Sequence, residues 1–152
     1  MINHSDTQQT IYNIDNPLYW NRDSFDRELD RVYDICLGCR LCFNLCSSFP
    51  VLFDSIDQAG DEKRIHAIEE GRISEQVSKK DYMYLPEGEH AVEASVEVEF
   101  RGEVSDLTDK QRWTVVDLCY QCKLCDPVCP YTPGKEHEFQ LDFPKLMTRA
   151  QA

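Results

Sequence analysis

The chain has 152 residues, 29% of them charged, and a net charge of −12 from 28 acidic and 16 basic side chains. That length holds one domain, or one with an appendage, and the acidity argues against nucleic acid and anionic membrane surfaces as partners, because their phosphates would be repelled. No run approaches the ~20 apolar residues of a membrane-spanning helix.

Residues 1–20, MINHSDTQQTIYNIDNPLYW, read as an N-terminal extension. They carry no basic n-region, no apolar h-region and no Arg, so no secretion or import signal is legible. A cytoplasmic location is expected, with any membrane association peripheral and made through a partner. Next, NRDSFDRELDRVYDIC spaces Phe25, Leu29, Val32, Tyr33 and Cys36 as one helix face. Asp23 or Ser24 is available as its N-cap.

The stretch CLGCRLCFNLC (residues 36–46) then packs four cysteines into eleven residues, and CYQCKLCDPVC repeats the pattern from residue 119. With their run-ins, VYDICLGCRLC (32–42) and VVDLCYQCKLC (115–125) share a Val, an Asp, three Cys, a basic residue and a Leu, which marks an internal repeat. All eight cysteines lie in these two runs. A disulfide scaffold suits small secreted chains, and C-x-x-C spacing would close only tight local loops. Two structural zinc sites would use paired cysteines and leave the third and fourth of each run without a reason. The spacing C-x₂-C-x₂-C-x₃-C, followed by Pro, is instead that of chains binding two [4Fe–4S] clusters.

In such a run the first three thiols wrap three corners of one cluster, and the fourth reaches the other cluster. One cluster is therefore expected on Cys36, Cys39, Cys42 and Cys129, and the other on Cys119, Cys122, Cys125 and Cys46. The zinc-holding interaction domain stays as the alternative. Cys129 is followed by Pro130 as the motif requires, whereas Cys46 is followed by Ser47.

After the first run, Pro50 in FPVLFDSID marks a helix start. DEKRIHAIEEGRI and SEQVSKKDYM read as short exposed helical pieces. AVEASVEVEF (91–100) alternates as a half-buried strand, and YMYL (82–85) with the turn PEGEH can pair with it, so residues 81–104 read as a β-hairpin insertion. Thr108 and Gln111 form a T-x-x-Q capping box for a helix that runs through Val115 into Cys119. Both cluster loops thus hang between helices, with 72 residues between Cys46 and Cys119. The expected fold is mainly α: an α-helical ferredoxin over residues 21–150, with the small hairpin inserted.

CLGCRLCFNLCSSFPVLFDSID, VVDLCYQCKLCDPVCPYTP and HEFQLDFPKLMTRA together resemble the N-terminal cluster-binding part of heterodisulfide-reductase-related iron–sulfur proteins. That group includes the C subunits of heterodisulfide reductase and of anaerobic glycerol-3-phosphate dehydrogenase. The resemblance covers roughly residues 20–58 and 108–150. It implies an α-helical ferredoxin domain relaying electrons between a dehydrogenase or reductase subunit and a quinone, thiol or ferredoxin partner. Many relatives continue into cysteine-rich CCG domains, and no such motif follows Cys129 here. Expected is either a free-standing carrier or one piece of a split enzyme.

No nucleotide-binding glycine motif is present, and His4, His66, His90 and His137 are scattered, so an electron-transfer module is expected rather than a catalyst in its own right. His137 and Glu138 are expected to pack beside a cluster. Arg40 and Lys123 hold equivalent positions in the two runs, and their charge is expected to favour the reduced state of each centre. Arg40→Gln and Lys123→Gln should each lower the reduction potential of the adjoining centre; a redox titration in which neither moves would reject this role.

Overall fold

The computed structural model describes residues 10–73 and 100–152, and among these the chain is mainly helical with no strand. Its helices are α1 (Pro17–Trp20), α2 (Arg22–Cys39), α3 (Ser48–Glu69), α4 (Asp109–Asp117), α5 (Cys125–Val128) and α6 (Phe143–Ala150), with 3₁₀ turns at Val104–Asp106 and Pro133–Lys135. None of the described helices is long and apolar enough to cross a membrane. The chain divides into two compact units, residues 1–53 with 108–152, and residues 54–107.

The first unit is organised by α2. Phe25, Leu29, Val32 and Tyr33 are all buried on it, as the helical spacing requires. The N-cap is Asn21 rather than Asp23 or Ser24: its side chain accepts the Ser24 N–H at 2.8 Å. Starting there lets Asp23 sit in the first turn, where the helix dipole favours an acid. The helix then runs past the expected boundary, through Cys36 to Cys39, and stops at Arg40. That residue takes a left-handed conformation (φ 54°), and its N–H bonds the Cys36 carbonyl.

Two long-range ties set α4 beside α2. The Tyr33 hydroxyl donates to the Arg112 carbonyl at 3.2 Å, and the Arg112 guanidinium pairs with Asp30. The capping box on α4 forms as its sequence requires, with Thr108 Oγ1 accepting the Gln111 N–H and Gln111 Oε1 accepting the Thr108 N–H. Val32 and Val115, each four residues before the first cysteine of its run, are both fully buried. The repeat therefore carries core positions as well as thiols.

The described part of the N-terminal extension is packed rather than appended. Tyr12 donates its hydroxyl to buried Glu28 at 2.9 Å. The C-terminal carbonyls of α1 are taken by Arg149 of α6: its Nε bonds the Tyr19 carbonyl at 2.8 Å, and its Nη2 bonds Leu18 O and Ser24 Oγ. Arg149 is buried, and its guanidinium stacks over Tyr19 and Phe25. A cation at a helix C-terminus complements the unpaired carbonyls there, so the last described helix fastens the first. Helix α6 itself was not anticipated, although Asp142 caps it and Pro144 opens its first turn.

In the second unit, DEKRIHAIEE is not a separate short helix. It continues α3, whose first six residues belong to the first unit. A Cβ on Gly60 would stand 2.7 Å from the Gly102 nitrogen, and one on Gly102 would stand 1.8 Å from the Ile56 carbonyl oxygen. The two glycines mark a close crossing of chain on helix, braced by a 2.6 Å Lys63–Asp106 ion pair. Gly71 (φ 71°) ends α3 with a left-handed cap. The hairpin expected at 81–104 and the helical piece at SEQVSKKDYM lie outside the described residues, except for residues 100–104. There Phe100 is buried in a turn, and Val104 begins a 3₁₀ turn.

Gly102→Ala should cost about 1–3 kcal/mol by overpacking against backbone that has no rotamer to yield. The thermal unfolding midpoint should fall by several degrees, and an unchanged midpoint would rule out the close crossing.

Candidate metal centres

The two cysteine runs are built differently in spite of their shared sequence. In the first, Cys36 and Cys39 ride on the last turn of α2, and only Cys42 and Cys46 stand on the loop that follows. In the second, α4 stops at Asp117, so Cys119 and Cys122 are on irregular chain, Cys125 opens α5, and Cys129 is its C-cap. One consequence falls on the residue after each leading cysteine. Leu37 is held by its helix and is 5% exposed, whereas Tyr120 is 82% exposed.

Around one cavity the chain gathers Cys36, Cys39, Cys42 and Cys129, together with Arg40, Leu41, Phe49, Phe53, Pro130, Tyr131 and Leu141. Around another it gathers Cys46, Cys119, Cys122 and Cys125, with Leu45, Phe49, Tyr120, Gln121, Lys123, Leu124, Phe143 and Pro144. Each quartet combines three thiols of one run with the last thiol of the other. Phe49 borders both cavities, and a third, narrow space lined by Cys36, Cys42, Cys125 and Cys129 lies between them. All eight cysteines are free thiols; only Cys122 counts as exposed. Among the described residues no three His, Cys, Asp or Glu side chains converge closely enough for a single metal ion.

Left-handed residues punctuate both cysteine runs. Arg40 and Lys123, equivalent in the repeat, both take left-handed φ (54° and 60°), and Gln121 does so as well at 57°. A left-handed residue after right-handed ones turns successive N–H groups inward as an anion-binding nest, a device common at iron–sulfur sites. The Arg40 guanidinium does not hang in solvent. It lies over the Phe53 ring at 5.2 Å, with its Nε on the Leu37 carbonyl.

No protein family, curated protein or solved structure matches this chain.

Segments remote in sequence hold the loops in place. Gln151, just past α6, donates to the carbonyls of Val116 and Cys119 at 3.0 Å each, and Thr148 reaches the Gln121 side chain. Lys135 donates to the carbonyls of Pro127 and Cys129, both at 2.8 Å. Arg31 donates to the Phe139 carbonyl, tying α2 to the segment that follows the second run. Of the histidines, His66 pairs with Glu70 at 3.2 Å on the surface, and His137 packs edge-on against Tyr131 beside the first cavity. His4 and His90 lie outside the described residues. Sequence reasoning missed Tyr131, Phe49 and Gln151. Only Tyr131, directly after the Cys-Pro pair, carried a local signal.

Burial raises the thiol pKa values from the ordinary 9.0, and the neighbouring thiols add to the rise. Cys36 goes well above it, Cys42 to about 11 and Cys125 to about 12. Without a bound cation, these groups resist ionising. They hold protons more tightly folded than unfolded, so their stabilising contribution is complete below pH 9 and fades as pH rises through about 11 and about 12. The urea midpoint of the metal-free, reduced chain should therefore fall between pH 9 and pH 11; a midpoint that climbs over this interval contradicts the burial.

Proposed function

We propose that the chain is an electron-transfer module of an oxidoreductase and carries two [4Fe–4S] clusters. Cys36, Cys39, Cys42 and Cys129 hold one, and Cys46, Cys119, Cys122 and Cys125 hold the other. The observation that carries this reading is the crosswise composition of the two thiol quartets, three from one run and one from the other around each cavity. When bound, such a cluster accepts and releases a single electron while no covalent bond of a substrate is made or broken.

The donor set suits the group. Thiolates are its ligands, and a cluster with four of them carries about −2 when oxidised. The cationic Arg40 and Lys123, which line one cavity each, would meet that charge. Ser48, two residues after Cys46, has a wholly buried hydroxyl with no protein partner. An unmet buried hydroxyl costs about 1–3 kcal/mol, which an acceptor on a bound group can relieve. Phe49, Phe53, Leu141 and Phe143 are buried walls of the cavities and limit water near the thiols.

The helical ends that supply these ligands favour the α-helical ferredoxin arrangement, as in heterodisulfide-reductase-like and glycerol-3-phosphate-dehydrogenase-like systems. The partner is then a dehydrogenase or reductase subunit, reached in the cytoplasm or at a membrane through that subunit. Exposed Cys122 and Tyr120 make the second site the more accessible one to such a partner.

Protein purified without oxygen should contain about eight iron and eight acid-labile sulfide per chain. Two zinc and no sulfide would establish the zinc-holding interaction domain instead. In Cys129→Ser, the spectroscopic signature of the centre on residues 36–42 should change while the other persists. An unaltered signature there would refute the crossed ligation.

A further inference from the structure

Two polar side chains at the end of α6, one turn apart, meet the second cysteine run. Gln151 Nε2 donates to the carbonyls of Val116 and Cys119, both at 3.0 Å. Its Oε1 accepts Gln121 Nε2 at 3.3 Å, and the Thr148 hydroxyl donates to Gln121 Oε1, also at 3.3 Å. The bend between Cys119 and Cys122, where Gln121 takes a left-handed φ of 57°, is therefore held by its backbone and by its side chain. Gln151 is itself fixed: its N–H bonds the Met147 carbonyl at 3.1 Å as the C-cap of α6. The first run is built otherwise. Cys36 and Cys39 are spaced by α2 itself, and Gly38, the counterpart of Gln121, lies inside that helix and has no side chain to hold.

A ligand loop already in its binding conformation loses less entropy when the ligand arrives. We propose that Gln151 is a positioning residue for the Cys46/Cys119/Cys122/Cys125 centre, holding the Cys119–Cys122 bend ready and so setting how firmly that centre is retained. This rests on the two-cluster reading. It adds that the two centres are secured by different means, the first by a helix that carries its ligands, the second by a side chain remote in sequence.

Gln151→Met keeps the length of the side chain and removes its donor and acceptor. The holoprotein is purified without oxygen, assayed for iron and sulfide, melted, and exposed to an iron chelator while the spectroscopic signature of each centre is followed. Cys129→Ser and Cys46→Ser identify which signal belongs to which centre. Expected is loss of the second centre about tenfold faster than in wild type, the scale typical of groups that orient a metal's ligands, with the first centre released at the wild-type rate. A variant that loads the first centre but not the second is the same result in stronger form. Thr148→Ala, which spares the Gln151 bonds, should accelerate the loss less. Unchanged release from Gln151→Met overturns the proposal. So does equal acceleration at both centres, or failure to load either, since each marks a role in folding as a whole. Wild-type protein free of iron and sulfide overturns the two-cluster reading itself, and the role of Gln151 with it.

Discussion

Each thiol quartet is completed by a cysteine from the other run, and the rest of the first unit follows from that constraint. Cys129 must come to residues 36–42, and Cys46 to residues 119–125, across 72 intervening residues. Bringing the runs together requires α2 and α4 to be neighbours, which Tyr33, Arg112 and Asp30 secure. It also requires the chain after Cys129 to turn back, so α6 packs against α2 and α5, and Gln151 and Thr148 pin the second loop. The buried Arg149 closes the circuit by taking the carbonyls at the end of α1.

The electrostatics of this arrangement are adverse to bare thiolates. Burial pushes the thiol pKa values up, and the repulsion of neighbouring thiols adds to the rise. Little formal positive charge faces the cavities: Arg40 and Lys123 line one each. Both residues also take left-handed conformations at their equivalent positions in the two runs.

Much of this was legible in the residues, and the failures have physical causes. The face Phe25–Leu29–Val32–Tyr33 and the Thr108/Gln111 box declare themselves by local spacing. The thiol groupings follow from motif spacing, and the cavities are lined by the same two sets. Local pattern failed where tertiary contact decides. DEKRIHAIEE reads as a separate short piece, yet it continues α3, and chain crosses that helix closely at Gly60. The cap of α2 moved to Asn21 because its side chain reaches the Ser24 amide, which the apolar spacing alone does not reveal.

The crossed quartets also bear on how such a chain can arise. A half-length ancestor with one run could not complete a four-thiol site alone, because its last sulfur points toward a neighbour. Two copies related by a twofold axis would complete two identical sites at once. Joining the copies in one gene then frees each half to diverge, as Leu37 and Tyr120, or Ser48 and Tyr131, have diverged here. The asymmetry of the two centres is, in this light, what fusion makes available and a symmetric dimer cannot have.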